Sequence, residues 1–380
     1  MLVSKVRLEQ RILKARIMSS VLSRILPPPA YITMPSVGVD ISDTSLKYIA
    51  FEPTVREGID RKLKLWGDIS IPNGILQRGQ LDKPEQLVIV LKEFKSITKA
   101  EFVTVSLPEE RAYLFETTIK RDVPLKEIRS LLEFKLEENV PIPSKDVIFD
   151  YVIIPGDSET RTMQIAVAAY GKETVLKYYD ACKEAGLRPI SFEVEAQAMA
   201  RSVISNDISG AVMLVDFGKT RTGIGIVYKG ILLYTSTIDI GGDQLSQSLR
   251  SILGSDVAES SLTKIKNTEG LMRGVDSSDV HDALLSVVSI IKDELITRMQ
   301  YWHLRNGNSE ERRITSIMMC GGSANMKGLP AYLTETIGVP CVRGNVWENT
   351  FSLDNNVPPI DKWHSFGYAT AIGLALKKFV

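Results

Sequence analysis

The chain writes one hairpin twice. Residues 37–51 and 213–227 each run as a β-branched strand ending in an aspartate, a tight turn of small hydroxyl or Gly residues, and a second strand: Val37-Gly38-Val39-Asp40 leads into Ser42-Asp43-Thr44-Ser45, and Met213-Leu214-Val215-Asp216 leads into Gly218-Lys219-Thr220-Arg221-Thr222. A hairpin repeated in two halves predicts two similar lobes facing each other, with the acidic turns in a shared cleft. Turns of this composition present backbone N–H groups to phosphate, and a carboxylate beside them holds Mg²⁺ through water. The pattern therefore predicts a nucleotide site.

The flanking sequence extends the duplication. A strand at Met163–Ala169, a helix over Lys172–Glu184 and Gly186-Leu187-Arg188-Pro189 in the first half are matched by a strand at Ile314–Met319, a helix over Leu329–Thr336 and Gly338-Val339-Pro340 in the second. Each helix is expected to stop at its glycine, with proline in the approach to the next strand. Between the first hairpin and the rest of its half, strands at Val103–Leu107, Ala112–Ile119 and Val147–Ile154 surround a helix opened by Pro124. That helix carries Leu125, Ile128, Leu131, Leu132 and Leu136 at helical spacing, so an inserted α+β lobe is expected. A second, helical insertion runs from Asp243 to about Arg313, with a long helix from Asp282 to Leu304.

These readings divide the chain into an N-terminal arm and linker (1–35), a first-lobe core (36–105, completed by 166–206 and 365–380) and an inserted subdomain (106–165). A second-lobe core (207–242, completed by 314–364) and its helical subdomain (243–313) follow. The 46 Lys and Arg balance 46 Asp and Glu, so no overall field draws nucleic acid, which is not expected as a partner. Cys182, Cys320 and Cys341 stand apart in apolar surroundings and read as reduced core thiols; His281, His303 and His364 lack metal-ligand spacing. No run reaches the roughly 18 apolar residues of a membrane span. Residues 1–29 interleave Lys5, Arg7, Arg11, Lys14, Arg16 and Arg24 with apolar residues. Three readings are open there: a basic amphipathic helix making a peripheral membrane contact, a poorly ordered arm, or a start placed too early, with Pro27-Pro28-Pro29 as the linker to the folded body.

The paired Asp turns, Phe192-Glu193-Val194-Glu195-Ala196, Cys320-Gly321-Gly322-Ser323 and the closing Ala371-Ile372-Gly373-Leu374-Ala375 resemble, in order, the five motifs of the actin, Hsp70 and sugar-kinase ATPase fold. Within it the chain most resembles the PilM family of type IV pilus assembly proteins, through Leu131-Leu132-Glu133-Phe134 to Val140-Pro141-Ile142-Pro143, Glu184-Ala185-Gly186-Leu187-Arg188-Pro189, Ile240-Gly241-Gly242-Asp243 and Gly344-Asn345-Val346-Trp347-Glu348-Asn349. The resemblance implies an α/β fold of two duplicated lobes around a nucleotide cleft, with an insertion placed as in PilM and the division protein FtsA.

It also implies roles. Asp40 and Asp216 would hold Mg²⁺ through water, and Ser42, Thr44, Ser45, Lys47, Gly218, Lys219, Thr220, Thr222, Gly241 and Gly242 would surround the phosphates of ATP. Gly321, Gly322 and Ser323 would pass close to the ribose and adenine, Lys264 or Lys266 would cover the base, and Glu195 would orient the attacking water. Ser42 stands where the family usually has Gly, with Asp43 beside it adding negative charge near the phosphates; Lys219 and Arg221 either offset that charge or face solvent. Turnover is expected to be slow or absent.

The expected function is a cytoplasmic, ATP-binding scaffold at the inner face of the cytoplasmic membrane, in a type IV pilus or related secretion or competence complex. It would hold the N-terminal tail of a PilN-like single-span membrane protein in a groove beside the inserted lobe, alongside other inner-membrane components. The alternative is an FtsA-like polymerising ATPase, although FtsA-type proteins usually attach to membrane by a C-terminal amphipathic helix and this chain ends at Lys377-Lys378-Phe379-Val380. A kinase reading needs a catalytic Asp over an acceptor pocket, and no segment supplies one beyond the two turns.

Overall fold

A computed structural model describes residues 34–52, 61–157, 159–205, 207–272, 278–354 and 356–377. The basic arm expected over residues 1–35 thus lies almost entirely outside the described residues. The first half runs β1 (Ser36–Ile41), β2 (Ser45–Phe51), β3 (Leu63–Ser70), the small hairpin β4 (Leu76–Gln77) and β5 (Gln80–Leu81), α1 (Pro84–Thr98) and β6 (Phe102–Leu107). The insertion follows as β7 (Tyr113–Lys120), α2 (Leu125–Asn139), β8 (Val147–Ile153) and β9 (Thr162–Gly171). The half then closes with α3 (Lys172–Glu184), β10 (Arg188–Val194) and α4 (Glu195–Val203). The second half runs β11 (Ala211–Phe217), β12 (Thr222–Tyr228), β13 (Ile231–Ile238), α5 (Gly242–Leu253), α6 (Glu259–Thr268), α7 (Ser278–Arg305), β14 (Ile314–Cys320), α8 (Leu329–Ile337), β15 (Cys341–Arg343), α9 (Lys362–Ser365) and α10 (Ala369–Ala375).

Among the described residues, two five-stranded sheets share one plan. The orders β3-β2-β1-β6-β10 and β13-β12-β11-β14-β15 match strand for strand, and so do the directions: the hairpin pairs are antiparallel, and the last two strands run parallel to the first. This corrects one equivalence expected from sequence. The partner of Ile314–Cys320 is β6, not the strand at Met163–Ala169. All six residues of β6 are buried, as a central parallel strand covered on both faces must be. The Met163–Ala169 segment instead lies in β9, the middle strand of the inserted sheet β7-β9-β8.

Each lobe has its own apolar core, and the insertion has a third, in which Ile128, Leu132 and Leu136 of α2 pack on Phe115, Phe149 and Ile165. The insertion nonetheless leans on both lobes: Ile154 and Ala166 join the second-lobe core, whereas Leu114 and Ala168 pack on the first. α4 and α10 cross where the lobes meet. Their small residues allow the backbones to touch, since Ala196, Ala198, Ala371 and Gly373 are all deeply buried. Gln197 of α4 bonds both edges of the β12–β13 turn, donating to the Gly230 carbonyl at 3.0 Å and accepting from the Leu232 N–H at 2.8 Å. The three cysteines are free and buried. No helix among the described residues is long and apolar enough to cross a membrane.

Candidate functional site

The matching strand ends β1 and β11 bring Asp40 and Asp216 to one cavity of about 710 Å³ between the lobes. That volume is of the size that takes a nucleotide-sized ligand. Asp40 is held by its sheet: the Ser106 hydroxyl donates to its Oδ1 at 3.0 Å while accepting from the Ile41 N–H at 3.1 Å. Lys47 faces it across the β1–β2 register. The first turn is closed by Ser42, whose N–H and hydroxyl both donate to the Ser45 carbonyl, at 3.0 and 2.9 Å.

The second turn is built into its lobe. Gly218 and Lys219 offer their carbonyls to the first amides of α5, at 3.0 Å from Gly242 and 2.8 Å from Asp243, and Ser323 donates to the Gly218 carbonyl at 3.0 Å. Gly321 is obligatory: its φ is +83°, and a β-carbon there would stand 2.4 Å from Asp216 Oδ1. Lys266 is buried below α5, donating to Ser246 Oγ at 2.8 Å and to the Gly242 carbonyl at 3.4 Å, with Glu259 at 3.4 Å.

Eight carboxyl groups line this cavity, and four of them are raised above the ordinary carboxylate range. Burial first, and then Asp40, lifts Asp216 to about 6. Burial lifts Asp40 too, against the pull of Lys47 and Ser106. Glu195, at the start of α4, is raised well above the usual range by burial, then by Asp40 and Glu109. Glu109 is raised likewise by burial, then by Glu110 and Asp216. Such a cluster favours a cation. Among the described residues there is no group of three or more His, Cys, Asp or Glu side chains placed to hold a metal ion.

Of the residues named from sequence, Asp40, Ser42, Thr44, Lys47, Glu195, Asp216, Gly218, Lys219, Thr220, Gly242, Lys266, Gly321, Gly322 and Ser323 line the cavity. Four do not. Ser45 accepts from Lys47 Nζ at 2.6 Å beside the turn. Thr222 is fully buried and donates to the Ile240 carbonyl at 2.7 Å. Gly241 supports the turn from behind, where a β-carbon would stand 2.5 Å from the Lys219 carbonyl oxygen. Lys264 is exposed away from the cleft. The charge of Asp43 is answered across the cleft: Arg221 lies 3.2 Å from it and Thr220 donates to it at 3.3 Å.

Sequence reasoning missed Glu109 and the mouth residues Asp361, Trp363 and His364. Both carried signals. Glu109 follows β6 as Gly322 follows β14, visible once the halves are aligned by strand order. Asp361 after Pro358-Pro359-Ile360 is a helix-cap pattern, and it accepts from the N–H groups of Trp363 and His364.

A family model described as type IV pilus assembly protein PilM matches residues 38–379. The chain belongs to the PilM family. Against the solved structure of a PilM-PilN type IV pilus biogenesis complex, the chain superposes with a TM-score of 0.71 at 21% identity, over 90% of its own length and 98% of that chain. MreB5 of Spiroplasma citri, solved with ADP, matches with a TM-score of 0.50 at 13% identity, over 83% of this chain and 93% of that one. At these identities the matches establish the fold, which is that of the actin-like ATPases. The cell division protein FtsA of Pseudomonas aeruginosa is 25% identical over 234 residues, 57% of this chain. That match reaches about half of the relative's own length, 54%.

Proposed function

We propose that this PilM-family chain is a nucleotide-binding scaffold of a type IV pilus, or a related secretion or competence, assembly complex at the inner face of the cytoplasmic membrane. The observation that carries it is the meeting of Asp40 and Asp216, at equivalent strand ends, in one cavity between two duplicated lobes. The ligand is ATP with Mg²⁺. Asp40 and Asp216 hold the ion through water; Ser42, Thr44, Lys47, Gly218, Lys219 and Thr220 surround the phosphates; Gly321, Gly322 and Ser323 lie along the nucleoside with Lys266. Bound Mg²⁺ neutralises phosphate charge. Glu195 is the candidate to orient an attacking water, and burial, then Asp40 and Glu109, raises its carboxyl well above the usual carboxylate range. Turnover is slow or absent, with the nucleotide acting chiefly to fix the lobes.

The partner is the N-terminal cytoplasmic tail of a PilN-like single-span membrane protein. A second cavity of about 220 Å³, lined by Gln80, Leu81, Arg111, Glu173, Thr174 and Lys177, opens where α3 leaves the inserted sheet and offers such a tail a seat. Calorimetric titration of the protein, with Mg-ATP present, by a synthetic peptide of that tail tests the reading. Saturable one-to-one binding is expected; no heat at any concentration sinks the scaffold role and favours an FtsA-like polymerising ATPase.

A further inference from the structure

Asp43 is the residue of the first turn that the nucleotide reading leaves without a role. It lines the cleft with Ser42 and Thr44, yet it does not close its own turn, which is held by the bonds from Ser42 to the Ser45 carbonyl. Its carboxylate reaches the other lobe. Oδ1 accepts from Arg221 Nη2 at 3.2 Å and Oδ2 accepts from the Thr220 hydroxyl at 3.3 Å, so both oxygens are taken by consecutive residues of the second turn.

Exposure separates this contact from an ordinary surface pair. Arg78 of the first lobe also lies 3.4 Å from Asp239 of the second, but those side chains are 81% and 65% exposed, and water screens such a pair to near zero. Arg221 and Asp43 are only 16% and 15% exposed. Nε of the same guanidinium stands 2.7 Å from Glu110 Oε1, in the turn Glu109–Arg111 that leads from β6 into β7. The sequence leaves room for this approach at Gly223 of β12, where a β-carbon would stand 1.9 Å from Glu109 Oε1. The lobes therefore meet beside the pair as well as through it.

We propose that Asp43 and Arg221 form an inter-lobe clasp that keeps the cleft closed by itself, whether or not a ligand fills it. Both residues belong to the cavity wall, so a ligand enters and leaves when the pair parts. The clasp thus slows exchange as well as fixing the lobes. Its strength is that of a charge-assisted hydrogen bond, which is lost when either partner is made neutral.

The test is the distance between the lobes in the full chain without added ligand, read by pulsed electron–electron double resonance between spin labels at Ser96→Cys in α1 and Ser251→Cys in α5. Both serines are exposed and the three native cysteines are buried. One narrow distance is expected in the parent. In Asp43→Asn and in Arg221→Gln a second distance should grow in, its ratio to the first raised about tenfold, the scale of one lost hydrogen bond to a charged group. Asp43→Asn keeps the side-chain volume and the Ser42 bonds to the Ser45 carbonyl, so it reads the clasp should Arg221→Gln fail to fold. A parent that already samples both distances, or an Asp43→Asn distribution that matches the parent's, overturns the proposal. The readout needs no nucleotide, so that failure leaves the nucleotide reading untouched.

Discussion

Gly373 in α10 lies against the backbone of Ala198 in α4 so closely that a β-carbon at 373 would stand 1.7 Å from the Ala198 carbonyl oxygen. On the other side of α10, Gly38 of β1 is as constrained, with the Ala371 carbonyl oxygen 2.3 Å from its ideal β-carbon. The obstacles are backbone, which cannot swing aside. Gly373→Ala is therefore expected to lose about 3 kcal/mol, at the upper end for overpacking, seen as a lower urea midpoint at unchanged slope. Gly322→Ala is the contrast. Its β-carbon meets nothing within 4 Å, so stability should stay within about 0.5 kcal/mol of the parent.

Asp216 has a pKa of about 6 in the folded chain, against about 3.9 when unfolded. Between these values the folded state binds more proton than the unfolded state, so stability falls as pH rises through this window. The contribution is fully present below about pH 4 and lost above about pH 6; the two values correspond to at most about 3 kcal/mol. Glu109 and Glu195 are raised in the same direction and add to the slope. Urea unfolding should show a more stable protein at pH 5 than at pH 7.5, with the difference reduced in Asp216→Asn. A difference of the same size in that variant would locate the effect elsewhere.

The duplicated hairpin was legible because its signal is local: alternating apolar strands, an acid, a turn of small residues. The same holds for α2 and α3, whose bounds follow from Pro124 and from Gly186. The equivalence of β6 was hidden, because β6 and β9 are both short apolar runs and strand pairing alone tells them apart. Side-chain direction was hidden too. Lys264 and Lys266 stand two residues apart on one helix, and periodicity alone did not decide which faces the cleft. Thr222 and Gly241 carry phosphate-site chemistry in sequence and serve the hairpin's own hydrogen bonds and packing in the structure.

That pair of lysines supplies a direct comparison. Lys266→Ala removes the donor to Ser246 and the Gly242 carbonyl, while Glu259 keeps Arg250 and the Ser246 hydroxyl. A loss of about 1–3 kcal/mol is expected, with weaker binding of Mg-ATP. Lys264→Ala changes an exposed side chain and should lie within about 0.5 kcal/mol of the parent. Urea midpoints and nucleotide titrations of the two variants decide between them; equal behaviour would remove Lys266 from the site.

Arg312 and Glu116 set the last prediction. The pair lies at 2.7 Å with side chains 13% and 17% exposed, and the same guanidinium donates to Gln164 Oε1 at 2.8 Å and Asn306 Oδ1 at 2.9 Å while lying over the Tyr228 ring. Low exposure and several acceptors separate it from ordinary surface ion pairs, whose worth is near zero. A double-mutant cycle with Arg312→Ala and Glu116→Ala should return a coupling of about 1–3 kcal/mol. The insertion keeps its apolar seam with the second lobe at Ile154 and Ala166, so Arg312→Ala should loosen the inserted sheet before the molecule unfolds. Hydrogen exchange would then speed up in β7 and β9 while the two five-stranded sheets stay protected. A coupling below about 0.3 kcal/mol, which is within additivity, would mean that the apolar seam alone holds the insertion to the second lobe.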